Sequence, residues 1–209
     1  MKSAPETREA LPGSGAQTVP APLNKQTGED IALTKVMLIR HAEKPNETAH
    51  GVNEAGRPAS DQLSVRGWQR AGALVRFFAP IGQSHRNGIA TPTAIFACKP
   101  HNSAKSRRPF HTVFPLATAI GITVHHEFAR SDDALLFDAV LGVSGTALIC
   151  WSHDPIPGIA RKIAGEQLSI PDKWPAKRFD LVWILDRVDD GWRFSQVDQM
   201  LLPGDVVPA

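Results

Sequence analysis

Two histidines and a pair of arginines stand where apolar runs of this chain give way to polar loops, and their chemistry suits an anion. Arg40-His41 follows Val36-Met37-Leu38-Ile39. His153 closes the run Thr146-Ala147-Leu148-Ile149-Cys150-Trp151-Ser152, and Arg107-Arg108 ends a basic loop that starts at Lys99. An imidazole can attack an electrophile or move a proton, and a guanidinium holds an oxyanion through paired hydrogen bonds. A single histidine in such a place is most often a satisfied core or cap residue. Two of them at equivalent run ends, one beside Arg40 and the other beside Asp154, point to a shared site. Proton transfer there needs a carboxyl group. Asp154 is the first candidate, and Glu127, just past Ile122-Thr123-Val124, is the second. As plainer roles, Asp154 would cap a following helix and Glu127 would be a solvated loop residue. Glu43 could orient a partner or pair with Lys44 or Arg70.

These side chains need a scaffold that brings them together. Unbroken apolar runs of four to six residues read as strands buried on both faces, as in a mostly parallel sheet covered by helices. The pattern predicts strands over 36–39, 94–98, 122–124 and 146–151. A hairpin pairs 181–185 with 192–195 through Asp189-Asp190-Gly191. Helices are expected from Leu63 to about Phe78 with Ser64 as N-cap, and from about Arg108 to Ala119 with Pro109 in the first turn and Gly121 at the end. Two more are expected, from Asp132 to Leu141 and from near Pro157. Alternating strands and helices with a terminal hairpin give a three-layer α/β/α sandwich around a mixed, mostly parallel sheet. Ligands of such sheets sit at the carboxyl ends of the strands, where Arg40, His41 and His153 fall.

Composition narrows the partners. Hydrophobic residues make up 42% and charged residues 21% of the 209 residues, and a formal net charge of +2 gives no reason to expect nucleic acid or a membrane as partner. Residues 1–32 read as a disordered tail ahead of a catalytic domain over 33–209. The tail lacks the apolar core of a signal peptide, so a cytoplasmic location is expected. Cys98 and Cys150 lie in apolar runs without Cys-x-x-Cys spacing and read as buried reduced thiols. His125-His126-Glu127 lacks a spaced further ligand and reads as a loop at a strand end, so no metal and no cofactor are expected. His111 reads as structural, Arg107 as a solvated neighbour of Arg108, and Lys99-Pro100-His101-Asn102 as a loop able to meet a substrate.

Four ordered segments carry a family resemblance. Arg40-His41-Ala42-Glu43-Lys44-Pro45 resembles the Arg-His-Gly signature of the histidine phosphatase superfamily, also called phosphoglycerate mutase-like, in its Arg-His-Ala-Glu-Lys-Pro form. Leu63-Ser64-Val65-Arg66-Gly67-Trp68-Gln69-Arg70-Ala71 is similar to that family's Leu-Ser-x-x-Gly-x-x-Gln-Ala segment. Arg108 to Ala117 resembles its Arg-x-x-x-Thr-x-x-Pro-Leu-Ala segment, and Trp151-Ser152-His153 the motif of its second histidine.

The resemblance implies a phosphoglycerate mutase-like fold and a metal-independent phosphatase acting on a small phosphorylated molecule or a phosphoprotein. His41 would attack phosphorus and carry the phosphoryl group. Arg40, Arg108 and His153 would surround its oxygens, and Asp154 or Glu127 would protonate the leaving oxygen. The nucleophile must be neutral, whereas His153 would work best as a cation, so their environments should separate the two pKa values. For Asp154, apolar Trp151 and Pro155 would supply desolvation. A phosphoglycerate-type phosphomutase and a non-catalytic phospho-ligand-binding or scaffold protein are the alternatives. Substrate identity and oligomeric state are left open.

Overall fold

The computed structural model describes residues 32–100, 106–189 and 191–205. Strand and helix alternate in the order β1 (Leu33–Arg40), α1 (Val65–Phe78), β2 (Ala94–Ala97), α2 (Arg108–Ile120), β3 (Val124–His125), α3 (Asp133–Leu141), β4 (Gly145–Trp151) and α4 (Ile156–Ala164). The hairpin β5 (Leu181–Val188) and β6 (Gly191–Asp198) follows. All six strands form one sheet in the order β3-β2-β4-β1-β5-β6. The first four in that order run parallel, while β5 lies antiparallel to β1 and β6 antiparallel to β5. This is the expected three-layer α/β/α sandwich with a mostly parallel mixed sheet, consistent with a phosphoglycerate mutase-like fold.

The uninterrupted apolar runs have a direct cause in the layers. On one face of β1, Val36 and Leu38 pack with Leu136 and Val140 of α3 and with Ile156, Ile159 and Ile163 of α4. On the other face, Met37 and Ile39 pack with Leu74 and Phe78 of α1 and with Val113 and Leu116 of α2. A strand covered on both sides has no polar positions to alternate with. Each large apolar side chain buried this way contributes roughly 1.5–3 kcal/mol.

Element boundaries shift where local chemistry intervenes. Helix α1 starts at Val65 rather than Leu63, because Ser64 caps it by accepting from Gly67 N–H at 3.1 Å. Strand β3 begins at Val124 rather than Ile122, because Ile122 N–H is taken by Ala117 O at 3.0 Å in closing α2, whose C-cap Gly121 has φ 73°. It also includes His125, which therefore belongs to the strand rather than to the loop after it. The hairpin strands are longer than their apolar cores. Their outer ends are held by charge, with Asp186 paired to Lys35 of β1 and 3.7 Å from Arg193 of β6. Asp189 turns the hairpin with φ 40°, and its neighbour Asp190 lies outside the described residues, as do the expected tail up to residue 31 and residues 101–105 of the expected substrate loop. Among the described residues, no helix is long and apolar enough to cross a membrane.

Candidate active site

Parallel pairing of β1 with β4 places both histidines on one edge of the sheet. Arg40 is in register with Trp151, and His41 N–H donates to Trp151 O at 2.9 Å, so His41 and His153 leave adjacent strands side by side. His41 is only 7% exposed. Its Nδ1 lies 2.7 Å from Ala42 O. A carbonyl cannot donate, so Nδ1 carries the proton, and in the neutral ring Nε2 holds the free lone pair. Burial is the largest cause pulling the His41 pKa down, to about 3. The positive charges of Arg40, Arg108 and His153 add to it, and the bond to Ala42 O opposes it. His41 is therefore a neutral imidazole across the physiological range.

The loop that carries His41 is fastened to two helices. Ala42 N–H donates to Thr112 Oγ1 at 2.8 Å, and the Thr112 hydroxyl donates to Arg108 O at 2.7 Å, one turn back along α2. The Arg-x-x-x-Thr spacing thus ties the His41 loop to the turn that presents Arg108. On the α1 side, Glu43 O accepts from Ser64 N–H at 2.9 Å and from the Ser64 hydroxyl at 3.1 Å. Gly67 permits this approach, since a Cβ there would stand 2.5 Å from Glu43 O. The Glu43 carboxylate accepts from Arg66 and Arg70, and Arg70 reaches on to Asp205 at 2.6 Å and Gln199 at 3.0 Å. Of the roles open to Glu43, the pair with Arg70 is the one made.

Two arginines converge on His41, with the charges of Asp154 and Glu43 acting on Arg40 and that of Asp61 on Arg108. Arg40 is 3% exposed; one of its Nη atoms donates to Ala176 O, its Nε has no partner, and its guanidinium lies 3.8 Å over the Phe179 ring. Burial pulls its pKa down to about 10. Arg108 is held by main-chain oxygens, Gln62 O at 3.1 Å from Nε and Ser60 O at 3.5 Å from Nη2, and burial lowers its pKa as well. Neither arginine makes an ion pair among the described residues. A buried and a half-buried guanidinium left in this state form a cradle for an anion.

His153 is half-buried, and burial lowers its pKa, with Arg40 next and Asp154 opposing. Both histidines are therefore pushed in the same direction. The expected opposite environments for the pair are not found, because His153 too is partly desolvated and faces Arg40.

Asp154 departs from expectation in its surroundings. Its side chain is 61% exposed, with Oδ1 3.1 Å from His153 Nε2 and Oδ2 2.9 Å from Arg130 Nη2. Trp151 and Pro155 do not enclose it. Nor does it cap α4, whose N-cap is Pro155. Glu127 is exposed beyond the edge strand β3, 3.5 Å from His125 Nδ1. The structure thus brings Arg40, His41, Arg108, His153 and Asp154 together, and leaves Glu127 with His125, on the edge strand two positions beyond β4. Arg107 is the exposed N-cap of α2, with its guanidinium 5.5 Å from the Phe110 ring centroid. Among the described residues no group of three or more His, Cys, Asp or Glu could hold a metal ion.

Sequence reasoning passed over Phe179 and the carbonyl oxygens of Ala176, Ser60 and Gln62. Phe179 and Ala176 lie in the irregular stretch between α4 and β5, where no periodicity marks a residue as facing the site. A main-chain oxygen carries no sequence signal at all. Thr112 was detectable from its four-residue spacing to Arg108.

No protein-family model and no curated protein matches the chain. Solved structures of similar outline exist. One is described as "the putative phosphohistidine phosphatase SixA from Agrobacterium tumefaciens", 20% identical, with 78% of this chain and 97% of that chain covered at a TM-score of 0.46. Another, from Escherichia coli, is described as a "putative alpha-ribazole-5'-P phosphatase", 11% identical over 79% and 96% of the two chains at 0.46. A mycobacterial glucosyl-3-phosphoglycerate phosphatase is 13% identical over 79% and 97% at 0.43.

Proposed function

We propose that this protein is a phosphatase of the histidine phosphatase superfamily, hydrolysing a phosphomonoester through a phosphohistidine on His41. One observation carries the reading. A buried neutral imidazole, its Nδ1–H tied to Ala42 O, shares a cradle with the buried Arg40 and the half-buried Arg108, neither of which makes an ion pair among the described residues. A phosphoryl group supplies the missing negative charge, and Nε2 is the atom free to attack it.

In the first step Nε2 forms a bond to phosphorus as the ester P–O bond breaks in line. Arg40, Arg108 and His153 meet the phosphoryl oxygens, and the leaving oxygen takes a proton from a carboxyl group. Asp154 is the preferred donor because it stands beside His153 and its charge is felt by Arg40. Glu127 is the alternative. In the second step water attacks phosphorus, the P–N bond breaks, inorganic phosphate leaves, and the carboxylate takes the proton from the water. Throughout, the Nδ1–H bond to Ala42 O supports the positive charge that grows on the ring. No metal has a part in either step.

The test is rapid acid quench of the purified protein with a labelled aryl phosphate. An acid-labile phosphoryl group on the wild type, absent from His41→Ala, supports the reading. Saturable phosphate binding without turnover would replace it with the non-catalytic alternative.

A further inference from the structure

His111 is a buried titratable side chain that the proposed chemistry does not use. It sits on α2 one turn after Arg108 and is 2% exposed. Its ring is stacked on Trp68 at 5.1 Å and meets the edge of Phe110 at 5.7 Å. Neither ring nitrogen completes a hydrogen bond among the described residues, yet Nε2 lies 2.9 Å from Oε1 of Glu54. An apolar ring would fill this position without the desolvation cost of two polar atoms. What an imidazole adds is a buried polar atom offered to Glu54.

Glu54 occupies the tip of the loop 51–62, and the far limb of that loop supplies the oxygens that hold Arg108. The base of the loop is closed by Val52 N–H to Leu63 O at 2.9 Å, Ala59 N–H to Gly51 O at 2.8 Å and the Trp68 indole N–H to Val52 O at 2.9 Å. Its tip is turned by Asn53 Oδ1, which accepts from Ala55 and Arg57 N–H at 3.0 and 2.9 Å. Between the two, Ser60 O and Gln62 O face the Arg108 guanidinium. The 2.9 Å approach of Glu54 to His111 sets the exposed tip against α2. The other charges acting on the ring are Asp61 from the same loop and Arg107 from the start of α2.

We propose that His111 is a positioning residue for Arg108, acting through Glu54 and the loop 51–62 to keep Ser60 O and Gln62 O against the guanidinium. The proposal rests on the phosphatase reading for its kinetic consequence, but its structural part stands apart from that reading. With the tip released, Arg108 loses its fixed carbonyl partners and samples orientations that no longer meet the phosphoryl group. Ground state and transition state then lose the same contact, and the effect falls on KM more than on kcat.

The experiment compares Glu54→Ala, His111→Phe and His111→Gln with the wild type. It measures aryl phosphate turnover, competitive inhibition by inorganic phosphate, and hydrogen exchange of the amides in 51–62. Glu54→Ala and His111→Phe are expected to raise KM and the phosphate inhibition constant together by roughly two- to fivefold, the scale of one part-exposed contact with a carboxylate. In both, kcat should stay within about twofold, as befits lost uniform binding, and exchange across 51–62 should be faster. His111→Gln keeps a donor and should restore most of the loss, and the double variant Glu54→Ala/His111→Phe should be no worse than either single change. Unchanged phosphate affinity and unchanged exchange in Glu54→Ala would overturn the proposal, as would additive effects in the double variant. Glu54 is exposed, so this variant carries the test even if His111→Phe does not fold. A wild type without turnover would defeat the phosphatase reading alone, since hydrogen exchange across 51–62 would still report on the loop.

Discussion

Buried charge is handled in opposite ways on the two sides of the loop that follows β1. On the α1 side, Arg70 is 1% exposed and meets both Glu43 and Asp205, and Arg66 joins the same two carboxylates. Two cations face two anions. Burial opposes the charge on Arg70, but hydrogen bonds to Asp205 and Glu43 outweigh it and carry its pKa upward. Asp205 is likewise disfavoured by burial, yet Arg70 and the Leu201 and Leu202 amides bring its pKa down to about 2. On the sheet-edge side, the side-chain hydrogen bonds of Arg40 and Arg108 among the described residues go to carbonyl oxygens, and burial outweighs the nearby charges of Asp154 and Glu43 on the one and Asp61 on the other, so both pKa values fall. The first cluster is complete and braces the chain's 199–205 segment against the His41 loop. The second is complete only with an anion in place, which is the physical mark of a site as opposed to a strut.

The largest effect that tests this contrast is on turnover. His41→Ala should lower kcat by about a thousandfold or more, as loss of a nucleophile does, while thermal unfolding stays close to wild type. A variant that kept substantial activity would break the assignment. Asp205→Ala should do the reverse. Leaving Arg70 buried with half its partners should cost about 3–5 kcal/mol in denaturant unfolding. If it costs less than about 1 kcal/mol, the network is no strut.

Next in size, Arg108→Ala should reduce kcat/KM by about ten- to a hundredfold, the value of a charge-assisted hydrogen bond of about 1.5–3 kcal/mol. Removing one of several crowded cations should leave stability unchanged or raised. Arg107→Ala should change kcat/KM little, and equal effects would move the phosphate arginine by one position.

Acidification lowers stability through both regions, but in different pH windows. Asp205 has a lowered folded pKa, so its contribution, about 2 kcal/mol, is present above the ordinary carboxylate range and is lost as pH falls from about 4 to about 2. His41, folded as a neutral ring, binds its proton less readily than the unfolded chain does. Stability therefore also declines as pH falls from about 6.5 toward about 3. Since His41 stays neutral to about pH 3, log kcat/KM should show no acid limb near 6.5 from the nucleophile. An acid limb that moves with His41 substitution would contradict it. The smallest effect concerns the proton donor. Asp154→Asn should slow an alkyl phosphate more than p-nitrophenyl phosphate, whose leaving group needs little protonation, while Glu127→Gln should affect both alike. The opposite pattern would give the role to Glu127.

The sequence by itself determined the layers and the candidate members of the cradle. Those features depend on local rules: apolar runs demand covered strands, Ser64 and Gly121 punctuate helices, and Arg108 and Thr112 are fixed to each other by one helical turn. Only the tertiary structure decided which charges are paired. Asp205 and Gln199 reach Arg70 from more than a hundred residues away, Phe179 and Ala176 O reach Arg40 from an irregular segment, and Asp154 turns out to solvent beside Arg130 instead of inward. Pairing and desolvation are properties of distance and enclosure between chain segments, and a periodicity read along one segment contains neither.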